Sequence, residues 1–204
     1  MSNPITPGAL TKGALVRVDS TGQQTEIPFQ YNPASIRRTL QPRTLGGEAG
    51  GHSEVIRFSA APTETFSMQI EIEGLAAADE SPNKTLTTQG IFPNLYALEV
   101  LMYPDLDSIT SATQALAQGA LEIAPATVPL VLLVLGPQRV VPVMISGYEV
   151  VEQLFSPTLN PLRAVVDLTV RVLSYSDVVS TSPAYSRFIA YQKSKQTMSS
   201  GGTQ

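Results

Sequence analysis

The chain has 204 residues and a formal net charge of −4, with no cysteine and one histidine. This length fits one domain, and the acidic balance argues against nucleic acid as the main partner, because phosphate backbones are bound by clustered Lys and Arg. The absence of cysteine excludes disulfides, thiolate zinc sites and thiol catalysis, and it fits assembly in a reducing cytoplasm.

Only 15% of the residues are charged, whereas 43% are hydrophobic. A typical soluble domain has roughly 25% charged residues, so we expect part of this surface to be hidden against other subunits. The N-terminus has neither a basic segment nor an apolar one, so no signal peptide is expected. The most apolar run, residues 128–135, is too short for a membrane-spanning helix, and we expect no membrane insertion.

The first half of the chain predicts antiparallel strands. Residues 1–12 are expected to form an irregular arm, and alternation in 14–19 and 26–31 around Thr21-Gly22 predicts a hairpin. Strict alternation over 65–73 indicates one packed face and one wet face. Further strands are predicted over 35–41 and 54–60, with loops over 42–53 and 75–89.

The second half predicts a helix followed by the strongest β region. Leucines at helical spacing predict a helix over 91–103 that Pro104 ends, and 105–124 is read as a short helix or a mobile insertion. Ser182 is the expected N-cap of a C-terminal helix that starts at Pro183, and the final SSGGTQ is expected to be disordered. The strands predicted between these helices are 128–135, 139–145, 148–155 and 163–175, with a turn at 136–138 and a bulge or bend at Gly147.

This order of elements has no βαβ alternation. It predicts a mainly β fold: an antiparallel β-barrel or sandwich with a packed helix and a C-terminal helix. The domain boundaries follow as an arm over 1–12, a β domain over 13–180, and a C-terminal helix with a flexible tail over 181–204.

Candidate catalytic groups are few. His52 lies in a glycine-rich loop, where nothing rigid holds it as a catalytic base requires. Glu71 and Glu73 share the wet face of one strand, whereas carboxylate pairs in hydrolases normally come from different elements. Asp105 and Asp107 resemble the start of a calcium loop without its later ligands. We therefore expect no enzyme activity, no metal and no cofactor.

Long strands with apolar faces are an aggregation hazard unless their edges are paired, and a ring of subunits removes that hazard. The strands expected to carry the ring contacts are those over 128–155 and 163–175. The candidate interface residues on them are Leu130, Leu132, Val134, Val141, Val143, Arg163, Asp167 and Arg171.

The block VVPVMISGYEVVEQLFSPTLNPLRAVVDL, residues 140–168, is similar to the tube-domain family of contractile injection systems, which are phage-tail-like particles. Upstream, FQYNP at 29–33 resembles an early element of that family that ends a strand. The strand over 66–74 and the helix over 95–104 follow in the expected order. The resemblance covers residues 14 to 178 and rests on the order of these motifs.

The resemblance implies a tube-like β-barrel that forms a sixfold ring, a homo-hexamer, at the hub of a baseplate. Such a ring joins the inner tube to the spike complex, so the implied partners are the tube and spike proteins of the same particle. Many members continue into a LysM peptidoglycan-binding module, which this sequence lacks, so direct cell-wall binding is not expected. Hub adaptor and tube-initiating ring both remain open.

Two other functions also remain open at this point. A monomeric ligand-binding β-barrel predicts an apolar pocket and a compact monomer. A hydrolase that uses Glu71 or Glu73 predicts that a Glu→Gln change abolishes turnover without loss of the fold.

Overall fold

The computed structural model describes residues 12–19, 21–45, 57–74, 89–118 and 129–201. Strand residues outnumber helix residues, 45% to 28%, which confirms a mainly β fold. The strands are β1 (Ala14–Val18), β2 (Gln24–Pro28), β3 (Ile36–Leu45), β4 (Arg57–Glu73), β5 (Leu130–Val134), β6 (Val140–Phe155) and β7 (Pro161–Val172). The helices are α1 (Phe92–Glu99, continued by a 3₁₀ turn over Val100–Met102), α2 (Leu106–Ala117) and α3 (Pro183–Gly201).

The seven strands form one sheet in the order β2-β1-β5-β6-β7-β4-β3, and every neighbouring pair is antiparallel. Among the described residues the sheet does not close on itself, so it is not a complete barrel. The strands β2 and β3 lie at its two ends.

One face of the sheet carries the core. Alternate residues of β4 and β7, such as Phe66 and Val166, are fully buried on this face. Helix α1 covers it with Leu95 and Leu98, and α3 covers it with Phe188. The side chains at every second strand position and the leucines at helical spacing in α1 therefore pack together in one apolar layer.

Two prolines explain where the strand predictions were wrong. The predicted loop at 42–53 begins inside β3, which continues to Leu45 through a register shift at Pro42. The predicted strands 54–60 and 65–73 are parts of one strand, β4, that passes through Pro62. Strand β7 pairs only with Thr65–Glu73. Pro62 therefore lies beyond the β7 pairing, where the missing N–H of a proline costs no hydrogen bond to β7.

Other predicted elements are confirmed with shifted ends. The hairpin of β1 and β2, the helix ending near Pro104, the turn after β5 and the bulge at Gly147 are all present. Ser182 caps α3, because its Oγ accepts a hydrogen bond from the Tyr185 backbone N–H at 3.2 Å. Strand β7 ends at Val172, since Asp177 draws the chain into a turn through the backbone N–H of Ser174 at 2.9 Å. The 105–124 segment contains α2.

Several sequence predictions lie outside the described residues: the arm up to residue 11, most of the glycine-rich loop with His52, the polar loop over 75–88, and the end of the 105–124 segment from residue 119. The final SSGGTQ was predicted to be disordered, but its first three residues belong to α3, and residues 202–204 lie outside the description. The proposed domain boundaries remain predictions.

Candidate assembly surface

The sheet face opposite the helices is polar, and its charged side chains interact with other side chains of the same face. Its cross-strand rows are Gln69 with Asp167 and Glu71 with Val165, because those residues are partners in the β4–β7 register. Gln69 Nε2 donates to Asp167 Oδ1 at 3.2 Å, and Arg163 Nη2 lies 3.3 Å from Glu71 Oε2. These are solvated contacts, so they contribute little to stability and leave the face hydrated.

Among the described strands, part of β6 has a neighbouring strand on one side only, which the strand order alone does not show. Strand β6 pairs with β5 only over Val140–Val143, whereas it pairs with β7 on its other side from Val143 to Phe155. Among the described strands, none continues β5 alongside Met144–Phe155. We refer to Met144–Phe155 as the outer half of β6, and within the described ranges its backbone has a partner strand on one side only.

Large apolar side chains are exposed on the outer half of β6 and on the end strand β3. On the outer half of β6, Val151 is 47% exposed, Leu154 is 57% exposed and Phe155 is 50% exposed. Leu40, on the end strand β3, is 47% exposed. An exposed strand edge with apolar side chains is a template for pairing with another chain.

The predicted interface residues occupy different positions in the fold. Leu132, Val141 and Val143 are buried in the chain, and Leu130, Val134, Arg163 and Arg171 are half-buried, whereas Asp167 is exposed on the polar face. Both β5 and β7 have partner strands on each side, so residues on them can reach a neighbour through side chains only. Their role in subunit contacts remains a prediction, and the residue set did not include Val151, Leu154 or Phe155.

A buried carboxylate fastens α3 to the edge of the sheet. Glu64 of β4 receives hydrogen bonds from Arg38 Nε at 2.6 Å, Tyr191 OH at 2.7 Å and Lys195 Nζ at 2.9 Å. Its side chain is 5% exposed, and Lys195 Nζ lies 3.9 Å from the centroid of the Tyr191 ring. Sequence reasoning did not find this group, because Glu64 lies 26 residues from Arg38, 127 from Tyr191 and 131 from Lys195.

The same contacts set the ionisation of Glu64. Desolvation raises the pKa of Glu64, but hydrogen bonds from Lys195, Arg38 and Tyr191 together lower it below its ordinary 4.5. Desolvation also raises the pKa of Asp177, and its bonds from Arg171 and Ser174 lower it below 3.8. Both carboxyls therefore bind protons less readily in the folded chain than in the unfolded chain.

This difference predicts acid destabilisation. A carboxyl with a lowered pKa stabilises the fold fully above its unfolded pKa, and the contribution disappears as pH falls through the folded pKa. We expect the free energy of unfolding, measured with denaturant at several pH values, to fall below about pH 4.5. The Glu64→Gln variant should show a shallower fall, and an equally steep one would contradict the assignment to Glu64.

Other carboxylates considered as catalytic or metal ligands lie in solvated positions. Glu71 pairs with Arg163, Asp105 forms an ion pair with Arg17, and Asp107 lies in the first turn of α2. In the ranges that the structure describes, no three His, Cys, Asp or Glu side chains converge as a metal site. No helix in those ranges is long and apolar enough to span a membrane.

Comparison with known proteins gives no family assignment. No protein-family model matches the chain, and no curated protein matches it. Two solved structures are similar to it: the tail of an empty gene transfer agent (GTA) particle with C6 symmetry, at 14% identity and a TM-score of 0.29, and the virion of a native GTA particle, at 13% identity and a TM-score of 0.28. Each similarity covers 78% of this chain and 90% of the other. Both TM-scores are below 0.5, so these similarities do not establish a function for the chain.

Proposed function

We propose that this protein is a structural subunit of a phage-tail-like particle, and that copies of it form a sixfold ring at the baseplate between the inner tube and the spike. The observation that carries the proposal is the open antiparallel sheet: in the part of the chain that the structure describes, β3 and the outer half of β6 each have a partner strand on one side only. The sequence resemblance to tube domains supports the ring and its place in the particle.

An open sheet of this kind is incomplete in isolation. Its unpaired N–H and C=O groups and the exposed Val151, Leu154 and Phe155 are a hazard for a monomer. Pairing with identical neighbours around an axis satisfies the backbone groups of the edges that pair and gives a closed assembly. A monomeric ligand-binding barrel needs a closed sheet, and the sheet formed by the described residues is open.

The two faces of the sheet suggest which side lines the channel. Helices α1 and α3 pack on the apolar face, so in a ring they lie outside. The polar face, with Gln69, Glu71, Asp167 and Arg163, then faces the lumen. Its paired charges would let a hydrated cargo pass without a strong binding site.

We propose a purely structural role for the chain, without catalysis or a cofactor. Tube and spike proteins of the same particle are the proposed partners, and the particle is proposed to assemble in the cytoplasm.

Native mass spectrometry of the purified chain, together with electron microscopy of particles from producing cells, tests this function. We expect a six-membered ring and density for that ring next to the inner tube. A protein that is monomeric at every concentration and missing from the particles would contradict the proposal.

A further inference from the structure

We infer that the chain binds a compact, doubly charged oxyanion such as inorganic phosphate beside the C-terminal half of α3, through Arg38, Arg139 and Lys195. These three side chains are called the cationic cluster below. The site does not depend on the proposed ring, because a single chain supplies all three residues.

The cationic cluster joins three elements that are distant in sequence. Arg38 lies on β3 opposite Phe66 of β4, Arg139 follows the turn after β5, and Lys195 lies on α3. The guanidinium carbons of Arg38 and Arg139 each lie 5.9 Å from the centroid of the Phe66 ring, so they are no farther apart than twice that distance. Glu64 accepts hydrogen bonds from both Arg38 and Lys195, which brings the third cation to the same place.

The cationic cluster carries more positive charge than its surroundings balance. Among the described residues, Glu64 is the one carboxylate that pairs with it, through Arg38 at 2.6 Å and Lys195 at 2.9 Å. Arg139 forms no ion pair with any acidic residue in the described ranges. Three cationic side chains therefore share one carboxylate, and the positive charge is in excess.

This excess charge acts on the neighbouring ionisable groups. Desolvation lowers the pKa of Lys195 and Glu64 raises it, but repulsion from Arg38 and Arg139 lowers it again, so it lies below its ordinary 10.5. Desolvation and Glu64 raise the pKa of Tyr191, whereas the same two guanidinium groups oppose that rise. Both effects indicate a positive potential that a bound anion would reduce.

The turn that carries Arg139 is held in place before any anion binds. The Arg139 carbonyl accepts a hydrogen bond from the Leu135 N–H at 2.8 Å, and the Arg139 N–H donates to the Gly136 carbonyl at 3.3 Å. Ser194 Oγ donates to Gln138 Oε1 at 3.2 Å, which joins α3 to the same turn. Because the donors lie on elements that are already joined, ordering them for a ligand costs little.

The donors are open to solvent and suit an oxyanion. The side chains of Arg38 and Lys195 are 35% and 27% exposed, and Arg139 is half-buried. Planar guanidinium groups match the oxygen atoms of phosphate and sulfate, to which they donate paired hydrogen bonds. A dianion balances the excess charge of the cationic cluster more fully than chloride or a single carboxylate. The chemistry therefore favours a small anion of the phosphate type.

Isothermal titration calorimetry of the full chain with inorganic phosphate tests the site. At about pH 8 and constant ionic strength, we expect saturable binding of phosphate by the folded chain. Circular dichroism should show a Tm higher by about 3–6 °C at ten times the Kd, because the ligand binds the folded chain only. Sulfate should compete, whereas chloride should not. No saturable heat and no Tm shift up to about 50 mM phosphate would overturn the inference.

Replacement of Arg139 tests the donor that has no ion pair of its own among the described residues. Arg139→Gln should weaken phosphate binding about tenfold or more, because charge-assisted hydrogen bonds to the anion are lost. Its matched control is Arg163→Gln, since Arg163 lies on the opposite face of the sheet and pairs with Glu71. The control should bind phosphate as the unchanged chain does. Equal losses in the two variants would indicate a general effect of net charge and overturn the inference.

Lys195→Gln gives a second test that does not depend on the folding of the Arg139 variant. This change removes one cation and keeps the hydrogen bond between Arg38 and Glu64. The phosphate Kd should again rise about tenfold or more. If both Arg139→Gln and Lys195→Gln keep the original phosphate affinity, the anion binds elsewhere and the inference is wrong.

Discussion

Replacing Glu64 with Ala is expected to lower the free energy of unfolding by about 3 kcal/mol. The change removes three charge-assisted or buried hydrogen bonds and leaves a small void under α3. The side chains of Arg38 and Lys195 are 35% and 27% exposed, so water can solvate them after the change. That solvation keeps the expected loss below the sum of three separate bonds.

Glu71→Ala is the matched control, because it makes the same substitution on the same strand. Glu71 is half exposed and pairs with Arg163 at 3.3 Å, and an exposed pair of this kind contributes about 0–1 kcal/mol. Denaturant unfolding of both variants at neutral pH measures the difference. Similar losses in the two variants would show that burial of Glu64 does not matter.

Amide hydrogen exchange would locate the effect of Glu64→Ala. The last turns of α3 are held mainly through Tyr191 and Lys195, since residues 196–201 are exposed. We expect amides in the C-terminal half of α3 to exchange faster in the variant, while those in β7 keep their protection. Uniform acceleration across β7 would instead indicate general loss of stability.

Elements whose pattern is local were predictable from the sequence. The alternation over 65–73 reports the two faces of β4, and Ser182 followed by Pro183 reports the start of α3. Each signal depends on residues within a few positions of one another. The bulge at Gly147 was similarly predictable, because the apolar pattern changes phase there. The strands predicted on its two sides, 139–145 and 148–155, are one strand, β6.

Features that depend on partners distant in sequence were not predictable. Pro42 opens the predicted loop over 42–53, and Pro62 lies between the predicted strands 54–60 and 65–73, yet both prolines lie inside strands. Each is tolerated because one side of its strand has no partner there among the described residues. The free side of β6 results from the shortness of β5, which is a property of another strand. The Glu64 group joins β3, β4 and α3, and no spacing rule connects them. The candidate assembly surface was therefore predicted only as a region, without its edge residues.

Gly90→Ala is expected to cost about 3 kcal/mol or more, because it combines backbone strain with a steric clash. Gly90 has a φ of +59°, and a Cβ there would lie 2.2 Å from the Pro161 carbonyl oxygen. That oxygen also accepts a hydrogen bond from the Ile91 N–H at 2.9 Å, so the start of α1 and the start of β7 meet here. Backbone must move to relieve the clash, and the contact between α1 and β7 is then lost.

Gly136→Ala separates the two contributions. Gly136 has a φ of +79°, and a Cβ there would meet nothing within 4 Å. Its replacement with Ala should lower the free energy of unfolding only by the backbone strain of a positive φ, about 1–2 kcal/mol. Thermal and denaturant unfolding of both variants measures the difference, and equal losses would contradict close packing at Gly90.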